Sequence, residues 1–274
     1  MFINTNVGAM NAHRNLSSNN TAMNKTMEKL SSGYRINRAA DDAAGLAISE
    51  KMRFQINGLQ QAQRNAQDGI SLIQTAEGAL TEVHAMLQRL NTLATQASNG
   101  TYNDDEDRAA IDKEVQQLLS EISNIAANTT FNGISLLSST AGGTTLTFQV
   151  GSGTDTTITV DLAAMDPSSL TGLDSIDLKT EGGAQAAIDT IKNAINSVSE
   201  QRAVFGAVQN RLEHTINNLG VNAENLSAAQ SRIRDADMAA EMTAFTKNQI
   251  LVQAGTSMLA QANSVPQNVL KLLG

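Results

Sequence analysis

Cysteine is absent from this 274-residue chain, which removes any disulfide framework and any thiolate metal site. Tryptophan is absent too, and six Phe and two Tyr make an aromatic content of only 3%. A core must then be built from Ile, Leu, Val, Met and Ala, which suit long helices better than sandwiches or barrels. Proline occurs only at Pro167 and Pro266, so the first expected helix breaker comes late. A net charge of −8 and the lack of any basic cluster argue against nucleic acid as a partner. No apolar run is long enough to cross a bilayer, and Met1 to Asn20 lacks the basic start and apolar block of a classical signal peptide. A chain of this kind needs a dedicated export route if it is to leave the cell.

Chemistry is equally sparse. His13, His84 and His214 lie far apart on helical stretches and form no metal-binding pair. None of the 27 carboxylates stands with a base or nucleophile in a catalytic arrangement. Gly142-Gly143 and Gly182-Gly183 are isolated and read as loops rather than phosphate cradles. The expectation is a protein with no catalytic residue, no metal and no cofactor.

Helical periodicity dominates what is present. Ala76, Leu80, Val83, Leu87, Leu90, Ala94 and Ala97 alternate steps of four and three. That helix is predicted from about Ala43 to the Asn99-Gly100 stop, a span of roughly 80 Å. Ile111, Val115, Leu118, Ile122 and Ile125 mark a second, behind an acidic start at Asp104-Asp105-Glu106-Asp107 that favours the helix dipole. A third stripe runs through Ile188, Ile191, Ile195, Val198, Arg202, Phe205, Gln209, Leu212, Ile216 and Leu219. Three such seams predict a mainly α fold, an elongated antiparallel bundle.

Composition shifts at 129–182, which holds seven glycines and many threonines. Leu146, Phe148 and Val150 alternate with polar residues, as do Ile158, Val160 and Leu162. With turn chemistry at 151–156 between them, they predict a β-hairpin. The rest of this region reads as exposed connection. Its Ser/Thr-rich stretch 138–159 suits strands and turns.

The two ends differ from the middle. Arg14 is the only permanent side-chain charge in Met1 to Asn24, and Leu16, Met23, Met27 and Leu30 form a thin apolar stripe. Met238, Met242, Phe245, Leu251, Met258, Leu259 and Val265 sit among Ala, Gln, Thr and Ser. Such helices are weakly stable alone, and their low-charge surfaces suit burial against copies of the same chain. They are expected to be disordered in the monomer and to fold on assembly.

Residues 29–53, KLSSGYRINRAADDAAGLAISEKMR, resemble the signature of bacterial flagellins. QDGISLIQTAEGAL at 67–80, FGAVQNRLEHTINNL at 205–219, SRIRDADMAAEM at 231–242 and AQANSVPQNVLKLL at 260–273 are similar to further flagellin segments, in the same order. Tyr34 stands where that family commonly has leucine, Phe54 where it has glycine, and Asn91-Thr92 where it often has a charged pair; the final residue is Gly274 rather than a basic one.

The resemblance implies an inner-core helix and spoke at 1–40 and rod-domain helices at 41–130. A β-hairpin and outer loop at 131–183, a rod-domain helix at 184–236 and a C-terminal inner-core helix at 237–274 complete the set. It implies an exported, extracellular subunit that polymerises into a filament for swimming. Implied partners are further copies of itself, an export chaperone at the C-terminal region, and the filament cap and hook-junction proteins. It places Gly33, Arg35, Arg38, Asp41 and Asp42 in the spoke, held by ion pairs, with Gly33 and Gly45 supplying backbone freedom. It likens Gln88, Arg89, Leu93 and Glu114 to the patch that an animal toll-like receptor reads; the same residues also suit contacts between protofilaments. Three other readings stay open at this point. One is a hook–filament junction protein, and another is a coiled-coil signalling module. The third is a membrane-active C-terminal helix, for which Lys247 and Lys271 give too small a basic face.

Overall fold

The computed structural model describes residues 5–103, 106–138, 144–170 and 172–273, the side chains from 265 onward excepted. Asp104, Asp105, Gly142, Gly143 and the side chain of Val265 lie outside the described residues. The chain is mainly α: α1 (Val7–Ser32), α2 (Ala43–Ala97), α3 (Asp107–Asn128), α4 (Glu181–Arg234) and α5 (Met238–Leu273). Two antiparallel strand pairs, β1 (Thr130–Phe131) with β2 (Ile134–Ser135) and β3 (Thr144–Gln149) with β4 (Thr157–Leu162), lie between α3 and α4. Short polar side chains start the helices by satisfying free amides. Asn6 accepts from the Ala9 amide at 3.0 Å, Asp42 from Gly45 at 2.8 Å, Thr180 from Gly183 at 3.1 Å and Asp237 from Ala239 at 2.9 Å.

Contacts divide the chain into two compact units, Met1–Ile56 with Glu224–Gly274, and Asn57–Ala223. The second unit holds the apolar core. All seven seam residues of α2 from Ala76 to Ala97 are fully buried, and the helix stops at Ala97, just before the expected Asn99-Gly100 stop. Helices α3 and α4 run antiparallel to α2: Arg108 donates to the Ala97 carbonyl at 2.7 Å while Arg89 pairs with Glu114 at 2.8 Å, and Glu181 lies near Gly100 while Arg202 pairs with Glu77 at 3.6 Å. Their predicted seams are buried at Ile111, Val115 and Ile122 of α3 and at Ile191, Val198, Phe205, Leu212 and Leu219 of α4, and are displaced by one residue at positions between these. Leu119 and Ala126 are buried in α3, with Leu118 and Ile125 only half-buried beside them. In α4 the buried line runs through Ala187, Ala194, Gln201 and Val208, one residue before the predicted Ile188, Ile195, Arg202 and Gln209. The cause is that α4 faces two neighbours. It meets α2 on one side and β4 on the other, where the Gln201 amide donates to the Asp161 carbonyl at 2.9 Å. Its buried arc is therefore wider than a two-stranded seam, and small alanines at the centre allow close approach.

The hairpin is as predicted, with Leu146 opposite Val160 and Phe148 opposite Ile158. Phe148 lies against α2 at Gly69, and Asn65 donates to the Gln149 carbonyl at 3.0 Å. Two expectations are corrected. The connection after the hairpin is not simply exposed, because Met165, Leu170, Leu173, Ile176 and Leu178 are all buried in the core. Without a regular period, those residues gave no pattern to read. Gly182 and Gly183 are not a loop but the first turn of α4, which Thr180 caps. The helix expected at 237–274 is continuous through Pro266, since α5 runs to Leu273.

In the first unit, α1 and α5 pair antiparallel. Asn6 reaches Ala262, Leu16 lies at Gly255, and Lys29 pairs with Glu241 at 3.2 Å. Both ends are thus helical in the chain as it stands.

Candidate functional site

The α1–α5 pair keeps strict heptad spacing. Ala9, Ala12, Leu16, Asn19, Met23, Thr26 and Leu30 of α1 are among its less exposed positions, and Glu241, Phe245, Asn248, Val252, Gly255, Leu259 and Ala262 of α5 answer them. Glycine at 255 lets the helices close on each other: a Cβ there would sit 3.2 Å from the Leu16 side chain. Yet the seam is thin, and α1 has no fully buried residue. Leu16, Met23, Leu30, Phe245 and Leu259, all expected at the polymerisation surface, are spent on this pairing within the chain. Met27, Met242, Leu251 and Met258 point away from it and are 47%, 50%, 38% and 64% exposed. Val7, Met10, Met238 and Ile250 share that exposure, and sequence reasoning missed three of them. Val7, Met10 and Ile250 lie off the stripes that were read.

A second cluster joins these helices to their neighbours. Gly33 ends α1 with φ +74°, a left-handed conformation that favours glycine, and its amide bonds the Lys29 carbonyl at 2.8 Å. The chain then forms a short bridge to 235. The Arg35 amide donates to the Arg234 carbonyl at 2.7 Å, and the Ala236 amide to the Gly33 carbonyl at 3.0 Å. Arg35 also donates from its guanidinium to the Ile233 carbonyl at 2.6 Å. Arg234 lies over the Tyr34 ring, 4.7 Å from its centroid, and pairs with Glu50 at 2.8 Å. Tyr34, Glu50 and Arg234 are functional candidates that the motif contained but that spacing alone did not single out, because they meet from three separate segments.

The four charged residues expected here do not pair with one another. Arg38 pairs with Glu28 at 2.8 Å. Asp41 accepts from the amides of Asn37 at 3.3 Å and Arg38 at 3.1 Å, and Asp42 caps α2. The carboxylates go to backbone amides because the tight turn at 37–42 leaves those donors without helical partners. The Arg38 amide, helped by the Asn37 amide and the charges of Lys25 and Lys29, holds the Asp41 carboxyl below its ordinary pKa against an opposing desolvation. Gly45 corrects another expectation. Its role is close approach inside α2, since a Cβ would fall 2.8 Å from Cδ1 of Ile36, which is 1% exposed.

The third predicted cluster is split by the structure. Arg89 and Glu114 form an exposed ion pair, and Gln88 touches His84 at 3.0 Å. Leu93 is 2% exposed and belongs to the core, not to a surface patch. Four residues advance a helix by slightly more than a turn, which carries Leu93 from the Arg89 face into the seam.

Among the described residues no group of His, Cys, Asp and Glu could hold a metal, and no helix is long and apolar enough to cross a membrane. A heptad-paired set of termini with an open apolar flank, in a chain that also has a well-packed helical core, defines a structural subunit built to associate.

Comparison with known proteins names the family. Residues 3–141 match the bacterial flagellin N-terminal helical region, and residues 188–273 the C-terminal helical region. The chain is 57% identical to the flagellin of Halalkalibacterium halodurans over 274 residues, covering 100% of both chains. It is 53% identical to that of Bacillus subtilis over 309 aligned residues, again covering 100% of both. The crystal structure of Bacillus cereus flagellin aligns with 61% of this chain and 94% of its own, at 38% identity and a TM-score of 0.52. The chain belongs to the bacterial flagellin family. It is a structural subunit of the flagellar filament that serves swimming motility, and it is not an enzyme.

Proposed function

We propose that the α1–α5 pair is the surface through which subunits of this chain pack into the filament core. The observation that carries this is a mismatch: the pair has no fully buried residue in α1, yet exposes Val7, Met10, Met27, Met238, Met242, Ile250, Leu251 and Met258. Burying an aliphatic side chain of this size contributes about 1.5–3 kcal/mol, so covering these eight is a strong drive to associate. Too few charges oppose it. Leu16, Met23, Leu30, Phe245 and Leu259 set the register of the pair, and Met27, Met242, Leu251 and Met258 contact neighbouring copies, with Val265 extending the same helix. In the spoke, Gly33, Arg35, Arg38, Asp41 and Asp42 shape the turn by capping, and a neighbour can still reach Arg38, whose side chain is 72% exposed. Family organisation supports segments bounded near 40, 130, 183 and 236, with the subunit acting outside the cell. It also supports three partners: an export chaperone on the C-terminal helix, a cap at the tip, and hook-junction proteins at the base. Receptor sensing would rest on exposed Gln88, Arg89 and Glu114, with Leu93 supporting them from beneath.

Seeded assembly followed by negative-stain electron microscopy tests the core proposal. The double variant Met242→Glu, Met258→Glu should keep the helical content of the monomer and fail to elongate seeds that the unmodified chain extends. Normal filaments from that variant would overturn the assignment.

A further inference from the structure

We propose that Met10, Met27, Met238, Met242 and Met258 are peroxide-oxidation sites whose conversion to sulfoxide makes the free subunit unable to assemble. The inference rests on the assembly surface just described and adds a means of regulating it. It comes from how the sulfur atoms are distributed. The chain has ten methionines and no cysteine, so its thioethers are its only sulfur nucleophiles. Five of the ten lie exposed on α1 and α5, at 59%, 47%, 47%, 50% and 64% respectively. The others are less open. Met165 is 2% exposed in the core, Met23 is half-buried in the α1–α5 seam, and Met52 and Met86 are half-buried; Met1 lies outside the described residues.

The reaction requires hydrogen peroxide or an alkyl hydroperoxide and no protein catalyst. A lone pair of the methionine sulfur attacks one peroxide oxygen, the O–O bond breaks, and proton transfer to the departing oxygen releases water or an alcohol. Sulfur is oxidised by two electrons and the peroxide is reduced by two. The product is a polar, chiral sulfoxide in place of a pliant apolar group, a change that disrupts methionine-rich interfaces. Here the damage falls where little else holds the helices: Lys29–Glu241 is the one ion pair between α1 and α5 among the described residues, and α1 has no fully buried residue. The folded core, built on other residues, is left intact. Packing against neighbouring copies would cover the same sulfurs, so the free subunit is the vulnerable form and the finished filament the protected one. Both sulfoxide epimers are reducible enzymatically, which makes the block reversible.

The experiment treats full-length monomer and preformed filament with the same hydrogen peroxide dose. Peptide mass mapping then locates each added oxygen, and seeded elongation measures assembly. In the monomer, Met10, Met27, Met238, Met242 and Met258 should gain oxygen before Met165, and the critical concentration should rise by about tenfold or more, a shift that sulfoxides at contact positions readily produce. In the filament the same five should oxidise several-fold more slowly. Treatment with both classes of methionine sulfoxide reductase should restore elongation. In a variant with all five changed to leucine, a volume-conserving swap, peroxide should no longer lower elongation from that variant's own untreated level. Should that variant fail to fold, reductase rescue of the unmodified chain decides. Oxidation of the five without loss of elongation, or a loss that the reductases do not reverse, overturns the proposal. Untreated monomer that fails to elongate seeds would instead overturn the assembly reading beneath it.

Discussion

The side chain of Asn6 donates from Nδ2 to the carbonyl of Ala262 at 2.8 Å while its Oδ1 caps the Ala9 amide at 3.0 Å. Residue 266, four positions after Ala262, is a proline and has no amide hydrogen to give that carbonyl. One asparagine therefore starts α1 and satisfies the group that lets α5 pass through Pro266. Asn6→Asp keeps the cap and loses the donor; Asn6→Ala loses both. Each lost interaction is worth about 1 kcal/mol. Hydrogen exchange in the first turn of α1 should therefore be slowest in the unmodified chain, faster in Asn6→Asp and fastest in Asn6→Ala. Equal rates in the unmodified chain and Asn6→Asp would show that the link to Ala262 adds nothing.

Acid should loosen the turn at 37–42 through Asp41. Its folded pKa lies below the ordinary 3.8, held there first by the Arg38 amide. A depressed carboxylate contributes stability that is present above the unfolded pKa and is lost as pH falls through the folded one. Amide exchange at Asn37 and Arg38 should therefore accelerate, beyond its intrinsic pH dependence, only below about pH 4. Asp41→Asn should flatten that dependence, and an unchanged acid limb would remove Asp41 as its source.

Gly45→Ala tests close approach against helix propensity. Alanine at an unconstrained helical site would gain up to about 1 kcal/mol. Here its Cβ meets Ile36 and the Asp42 carboxylate, so an overpacking cost of about 1–3 kcal/mol should prevail. Thermal unfolding that shows a net gain would mean Ile36 yields freely.

Phe205→Ala should lower stability by about 3–5 kcal/mol, because Phe205 is 1% exposed in the core. Arg89→Ala should change it by less than about 1 kcal/mol, since its pair with Glu114 is half in solvent. Denaturant unfolding of both variants separates them. If Arg89→Ala also weakens assembly or receptor response, that loss is one of contact and not of folding.

Helix type and extent were legible in the sequence because apolar spacing of three and four is imposed locally by helix geometry. Ala43 to Ala97 appeared as read, as did the hairpin, whose alternation over 146–150 and 158–162 has the period of a strand. The nearly uncharged, methionine-rich ends likewise announced a subunit made to associate. Tertiary structure alone decided which side of a stripe is buried. Ala187 and Ala194 displaced Ile188 and Ile195 because α4 lies between two neighbours. It also decided that Leu93 belongs to the core and that Asp41 and Asp42 cap amides rather than pair with arginines. The Tyr34–Arg234–Glu50 cluster and the Asn6 link to Ala262 join residues distant in the chain, and no local period encodes such meetings.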